Sequence, residues 1–212
     1  MTKLRMLSMR KFTILQPENK SFNYKMFDTY FILGLEHIAN LKGYDHIIFL
    51  ITLCAVYKIS EWKPLLILVT AFTIGHSLTL ALATLDYLNV NSTLIEILIP
   101  VTILISAIIN IIYPTQRKLM PVKYLLALFF GLIHGLGFSN YLSMLLSEEN
   151  SLILPLFGFN TGVEAGQILI VASLLLLSFL VLRITSIKLR DWIFLLSGAG
   201  IGTSIIMIID RI

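Results

Sequence analysis

The sequence predicts an all-α protein, a polytopic transmembrane bundle of about seven helical segments. Of its 212 residues, 57% are hydrophobic and 13% are charged, too few charges to cover a soluble domain. Apolar runs follow one another at lengths near the roughly 20 residues that cross a bilayer core. Such runs must be helical, because lipid offers no partners to free backbone groups. We divide the chain into a basic cytoplasmic N-terminal tail, 1–27, and a transmembrane helical domain, 28–212.

Polar residues and helix breakers delimit the segments, which we place at 28–41, 43–57, 64–86, 92–113, 121–146, 155–182 and 191–210. The first two are short, and they form either a half-helix pair or one broken element that turns at Lys42-Gly43. Glycines at four-residue spacing, such as Gly131 with Gly135 and Gly198 with Gly202, predict close helix packing. No internal sequence repeat is evident.

The distribution of Lys and Arg predicts the orientation. If all seven segments cross and the N-terminus is cytoplasmic, every Lys and Arg except Lys42 and Arg211 lies inside. A single crossing by 28–57 would move the basic tail outside, so seven crossings with an outer C-terminus are expected. We therefore predict a multi-pass protein of the inner (plasma) membrane of a bacterium, with the lipid bilayer as a partner. The net charge of +4 needs no nucleic acid to explain it, and a homo-oligomer is left open.

Ionisable residues inside the predicted segments or at their ends point to one functional site. A charged group alone in hydrocarbon costs at least a few kcal/mol, so we expect these groups to face one another or a wet cavity. Under the seven-crossing topology they occupy the outer half of the bundle. They are all four histidines, His37, His46, His76 and His134, and four acids, Glu36, Asp45, Glu96 and Glu164.

Imidazole nitrogen together with carboxylate oxygen suits Ni, Co, Zn, Cu or Fe better than Mg or Ca. Asp45 could be a ligand, or it could orient its neighbour His46 from behind. Helical spacing adds three polar stripes, Asn160-Glu164-Gln167, Thr73-His76-Ser77 and Thr102-Ser106-Asn110. The sequence therefore predicts a transition-metal site that faces outward.

Five motifs follow one another along the chain: Gly34-Leu35-Glu36-His37-Ile38, Gly43-Tyr44-Asp45-His46, Phe72-Thr73-Ile74-Gly75-His76-Ser77, Gly131-Leu132-Ile133-His134-Gly135-Leu136-Gly137-Phe138 and Phe159-Asn160-Thr161-Gly162-Val163-Glu164-Ala165-Gly166-Gln167. In this order they resemble the HupE/UreJ family of hydrogenase and urease accessory membrane proteins, over roughly residues 28–182. The GxDH and GHS elements also look like those of the wider nickel/cobalt permeases. The resemblance implies metal recognition by His37, Asp45, His46 and His76, with His134 and Glu164 as further family-like positions.

Three functions remain open from the sequence. The first is a secondary permease for Ni or Co, with capture at His37, Asp45 and His46 and transfer to His76, His134 and Glu164. It would be gradient-driven or facilitated, since no GxxxxGK[ST] motif occurs. The second is a membrane-embedded Zn-dependent hydrolase that acts on a lipid or peptide from the outer side, with Glu164 or Asp45 as general base. The third is a non-catalytic membrane partner held together by buried His–acid pairs.

Overall fold

The computed structural model describes residues 17–41, 43–88, 90–114, 119–147, 149 and 151–212, with side chains from residue 23 onward. These residues form seven helices, and a short 3-10 turn, Ile59–Glu61, precedes the third. The all-α prediction is therefore confirmed. The helices are α1 (Pro17–Ala39), α2 (Asp45–Cys54), α3 (Trp62–Thr84), α4 (Ser92–Ile112), α5 (Met120–Leu146), α6 (Ile153–Ile184) and α7 (Leu189–Ile209).

Five of these helices, α3 to α7, are long and apolar enough to cross a membrane, and α2 is a shorter apolar helix of 10 residues. Helix α1 is more polar and begins at Pro17, inside the predicted tail 1–27. Residues 1–16 of that tail lie outside the described residues. A separate cytoplasmic tail therefore stays a prediction.

Glycines set the closest helix contacts. Helices α1 and α6 touch at Gly34 and Gly162, where an added Cβ would overlap the backbone of the other helix. Helices α3 and α5 touch in the same way at Gly75 and Gly131. Without side chains in the way, backbones approach closely enough for van der Waals packing to hold helices together in lipid. Gly198 and Gly202 are different, because no atom lies within 4 Å of an added Cβ at either. The close packing predicted at those two positions is absent.

The direction of α1 follows from its register against α6. Gly158 faces Phe27, Gly162 faces Phe31, and Gly166 faces Leu35 and Ile38, so residue numbers rise together and the two helices are parallel. Helix α6 is in turn parallel to α4, since short connections join α4 to α5 and α5 to α6.

Helix α2 continues in the direction of α1. Near its start, His46 lies beside His134, which contacts Thr102 of α4. Near its end, the carbonyl of Thr52 accepts a hydrogen bond from Asn110, two turns further along α4. The seven helical segments are present, but α1 and α2 run in the same direction with a break between Ala39 and Asp45. This arrangement implies one crossing by the two together, and six crossings in all where we expected seven. The alternative of one broken element is the correct one.

The two ends of the bundle differ in charge. The basic end carries the connections α2–α3, α4–α5 and α6–α7, with Lys58, Lys63, Lys123, Arg183, Lys188 and Arg190 at or beside them. The acidic end carries the connections α3–α4 and α5–α6, with Asp86 and Glu149, and the end of α7, where Asp210 stands beside Arg211. Helix α1 starts at the acidic end, because it is parallel to α6.

The glycine contacts also reveal an internal repeat. An added Cβ at Gly34 would meet the oxygen of Phe159 and the nitrogen of Val163, and one at Gly131 would meet the same atoms of Phe72 and His76. The contacts of Gly162 with Phe31 and Leu35 match those of Gly75 with Leu128 and Leu132. Helix α1 thus corresponds to α5, and α6 to α3.

The repeat is inverted. The pair α1/α6 runs from the acidic to the basic end, and the pair α5/α3 runs the opposite way. In sequence the repeat shows as Gly34-Leu35-Glu36-His37 against Gly131-Leu132-Ile133-His134, and as Phe72 with Gly75 against Phe159 with Gly162. The prediction that the chain has no internal repeat was wrong, and His37 and His134 are equivalent positions of the two halves.

Candidate metal centre

Four histidine rings from four helices converge in the interior of the bundle. The ring of His46, in the first turn of α2, lies 4.6 Å from that of His37 and 5.1 Å from that of His134, between centroids. The ring of His76 lies 5.8 Å from that of His37 and 6.2 Å from that of His46. The break between α1 and α2 brings His37 and His46 together, because it ends one helix and begins the next at this depth.

Five imidazole nitrogens of this cluster are buried and lack a hydrogen-bond partner among the described residues. A buried polar atom without a partner costs about 1–3 kcal/mol, so each such atom needs an explanation. One nitrogen each from His37, His46 and His76 lie within 4.8 Å of one another. Ligands of one ion at about 2.1 Å lie at most about 4.2 Å apart, so small ring rotations suffice for shared coordination. The buried, unpartnered atoms are His37 Nε2, His46 Nε2, His76 Nδ1, His76 Nε2 and His134 Nδ1.

Asp45 fixes the orientation of His46. Its Oδ1 accepts hydrogen bonds from the His46 backbone nitrogen at 2.9 Å and from His46 Nδ1 at 3.0 Å. The carboxylate thereby places the proton on Nδ1 and leaves the lone pair of Nε2 directed into the cluster. The other oxygen, Oδ2, lies 3.7 Å from Arg211 Nη2, and Arg211 Nη1 donates to the backbone carbonyl of Glu96.

Thr102 contacts His134 and a backbone carbonyl with the same hydroxyl. Its Oγ1 lies 2.6 Å from the carbonyl oxygen of Ile99 and 2.9 Å from His134 Nε2. A hydroxyl has one proton, and where it donates to the carbonyl, Nε2–H of His134 is the donor in the second contact. Nδ1 of His134 is then unprotonated and, being unpartnered, is free to accept a proton or bind a metal.

Aromatic rings enclose the histidines. Phe138 lies 4.0 Å from His37 and stacks on Phe159 at 5.0 Å, while Phe49 and Phe72 each lie 5.1 Å from His134. These rings are apolar and mostly buried, so they restrict water around the imidazoles.

The cavities that lead from the histidine cluster toward the two ends of the bundle differ in size. A cavity of about 640 Å³, which we call the vestibule, is lined by Leu33, Glu36, His37, Ala39, Asn40, Phe138 and Tyr141. His37 belongs to both the vestibule and the cluster. Toward the basic end, a cavity of only about 30 Å³ lies among Phe130, Asn110, Ser106 and Lys123. Phe49 and Phe130, at 6.2 Å, stand between this small cavity and His134.

The structure separates Glu164 from the other predicted site residues. His37, Asp45, His46, His76 and His134 come together, whereas Glu164 accepts a hydrogen bond from Thr70 at 2.8 Å. On α6, Phe159 contacts His37 and His76, and Glu164 points about 140° away from it around the helix. Of the remaining acids, Glu36 lines the vestibule and Glu96 is exposed.

Two residues of the centre carry little signal in the sequence. Thr102 belongs to the predicted polar stripe of α4, and that stripe is the one hint of its contact with His134. In the sequence, Arg211 looks like an ordinary basic residue that follows the last membrane segment. Its reach to Asp45 depends on the packing of α7 against α4 and α2, which no local pattern indicates.

Comparison with known proteins gives one match. The profile of the family described as HupE / UreJ protein matches residues 14–210. No curated protein and no solved structure matches the chain. The matched range includes all seven described helices and every histidine of the centre.

Proposed function

The chain belongs to the HupE/UreJ family, and on this premise we propose that it is a secondary permease for a divalent transition metal of the nickel or cobalt type. The family is linked to nickel and cobalt uptake. The protein is a multi-pass membrane protein, and we place it in the inner membrane of a bacterium.

One observation carries the proposal: buried imidazole nitrogens that lack partners converge from separate helices. Neutral imidazole is a ligand that Ni²⁺, Co²⁺ and Zn²⁺ accept readily. We assign the ion to His37, His46 and His76, with Nδ1 of His134 within reach as the ion moves. Asp45 supports this site from behind, because it holds His46 in the tautomer that binds metal.

The cavities support a direction of movement. An ion in the vestibule has the oxygens of Glu36 and Asn40 and the imidazole of His37 on the same wall, so oxygen and nitrogen ligands can replace its hydration water there. Release on the other side requires that the cluster open toward the small cavity behind Phe130. A site between a large vestibule and a much smaller cavity, at the interface of inverted repeats, is compatible with alternating access.

The hydrolase reading has less support. It needs a free general base beside the metal, and both proposed bases have other partners. Asp45 holds His46 and lies close to Arg211, and Glu164 faces away from the cluster and accepts from Thr70.

The test is metal binding and uptake by the purified protein. We expect His46→Ala and His76→Ala each to weaken Ni²⁺ binding by more than the roughly 10- to 100-fold that loss of an outer-shell partner costs, and to abolish ⁶³Ni²⁺ uptake into proteoliposomes. Binding is measured by calorimetry in detergent. The control is Ser204→Ala, which removes a buried hydroxyl bonded only to its own helix and should leave both readouts unchanged.

Other results would overturn the proposal. Stoichiometric Zn²⁺ that survives dialysis, without Ni²⁺ uptake, would favour the hydrolase. Absence of metal binding from wild type, with both histidine variants merely less stable, would favour a structural role for the cluster.

A further inference from the structure

A mostly apolar cleft between α3 and α6, which contains a small group of polar side chains around Glu164, is separate from the histidine cluster. It has a volume of about 490 Å³ and extends from Glu164 toward the acidic end, where α3 ends and α6 begins. Glu164 lies 11 residues into α6, about 17 Å along the helix at 1.5 Å per residue, which is deep in the membrane. The lining residues are Thr73, Ile74, Ser77, Leu78, Ala81, Phe157, Asn160, Thr161 and Glu164.

Glu164 has no countercharge in this cleft. None of the lining residues is basic, and no ion pair to Glu164 occurs within the described part of the chain. Its one described hydrogen bond comes from Thr70. A carboxylate at this depth is costly unless a cation or a proton neutralises it.

The neighbouring polar groups each carry an oxygen that can accept a hydrogen bond or bind a cation. Asn160 lies one helical turn before Glu164 on the same face, and its Oδ1 is buried without a partner. The hydroxyls of Thr73 and Ser77 line the opposite wall, and Thr73 donates to Gln167 Oε1 at 2.7 Å. The unpartnered carbonyl oxygen of Asn160 and the carboxylate of Glu164, which has no countercharge, can together supply ligands to a cation.

The chemistry of this set differs from that of the histidine cluster. Oxygen ligands select hard cations, whereas imidazoles select transition metals. Calcium sites in proteins combine several carboxylates, but this cleft supplies a single negative charge, which one monovalent ion neutralises. We infer that the cleft between α3 and α6 is a second cation site, one that binds Na⁺ through Glu164 and Asn160.

Sodium binding to purified protein in detergent tests this inference. Equilibrium binding of ²²Na⁺ should saturate at one ion per chain, with choline as the ionic-strength control. Glu164→Gln should weaken it at least about tenfold, because the formal charge of the cleft is lost. Glu96→Gln, which removes an exposed carboxylate at the start of α4, should bind Na⁺ like wild type.

A gain-of-function variant distinguishes loss of the sodium site from loss of the folded structure. Asn160→Asp adds a second carboxylate and should give saturable Ca²⁺ binding that wild type lacks. His46→Ala should lose Ni²⁺ and keep Na⁺, so failure of the proposed permease and failure of the sodium site are distinguishable. Wild type without saturable Na⁺ binding, as expected if a proton neutralises Glu164, would overturn the inference, as would Na⁺ binding that Glu164→Gln leaves unchanged.

Discussion

Arg211 brings a full positive charge to the edge of a centre built from neutral imidazoles. It lies 3.7 Å from Asp45 Oδ2, and Asp45 in turn holds His46. A unit charge about 10 Å from a divalent ion raises the ion's energy by roughly 3 kcal/mol at an effective dielectric constant of about 20. Solvent reduces this effect, since the Arg211 side chain is 26% exposed. Arg211 therefore opposes tight binding, which suits a site that must release its ion.

Replacing Arg211 tests this electrostatic role. We expect Arg211→Gln to bind Ni²⁺ about tenfold more tightly, because the repulsion is lost and Asp45 keeps its full charge. Asp45→Asn should have the opposite effect and weaken binding by roughly 10- to 100-fold. Calorimetric titration of both variants measures the two shifts.

Arg211→Lys is the control, since it keeps the charge and should stay close to the wild-type affinity. Weaker binding by Arg211→Gln would instead mean that Arg211 acts by holding Asp45 in place, and the electrostatic argument would fail.

The ionisable residue types identified most members of the centre, but their positions along the helices did not show which side chains meet. The histidines were recognisable because ionisable groups are rare in lipid and all four lie in or beside predicted segments. Glu164 satisfied the same criterion, yet it faces another cleft, because its place on α6 depends on which side of that helix meets α1 and α3. Sequence alone does not define helix rotation when apolar residues cover most of a helix.

Helix pairing depends on glycines at two parallel interfaces. At Gly131 an added Cβ would overlap the carbonyl oxygen of Phe72, which is backbone and cannot rotate away. At Gly202 the corresponding space is open. Both residues belong to four-residue glycine spacings, so the pattern alone did not distinguish a packed glycine from a free one.

Two matched alanine substitutions test the packing. Gly131→Ala should force α3 and α5 apart and lower the stability by about 1–3 kcal/mol or more. Gly202→Ala should be neutral or slightly stabilising, since alanine is the better helix former by about 1 kcal/mol. Thermal unfolding in detergent measures both. Equal midpoints for the two variants would contradict the close approach of α3 and α5.

The break between α1 and α2 changes the reading of the first two segments. Lys42-Gly43 was recognisable as a breaker, and the short apolar α2 as half a span. The charge rule then favoured two crossings, because one crossing leaves six basic residues of the tail opposite the basic loops. Register against α6 overrides that count, since the parallel glycine contacts fix the direction of α1.

At the scale of the whole molecule, the inverted repeat explains why the centre lies where it does. His37 and His134 are equivalent, and each reaches the interior from a helix that pairs through glycine with its partner. The repeat is hard to find in the sequence because few residues are identical between the two halves and one half contains a helix break. Helix α5 continues past His134 to Leu146, whereas its equivalent α1 stops at Ala39 and resumes as α2.

Six crossings place the start of α1 and the end of α7 at the same end of the bundle. Loops rich in Lys and Arg face the cytoplasm, and the connections at the basic end hold such residues while those at the acidic end hold Asp86 and Glu149. By this rule we expect the acidic end, the vestibule and the start of α1 to face outward. The outward-facing site and the cytoplasmic N-terminus that the sequence predicted both stay predictions.

Cysteine labelling in intact cells decides between the two orientations of α1. In a background with Cys54 replaced, Lys25→Cys near the start of α1 should react with a membrane-impermeant maleimide added outside, because that end of the helix lies beside the outer end of α6. Lys188→Cys, exposed at the basic end, should react only after permeabilisation. Both positions are exposed, so the reagent has equal access once it is on the correct side. Protection of Lys25→Cys until the cells are opened would restore two crossings for residues 28–57, and it would conflict with the parallel packing of α1 on α6.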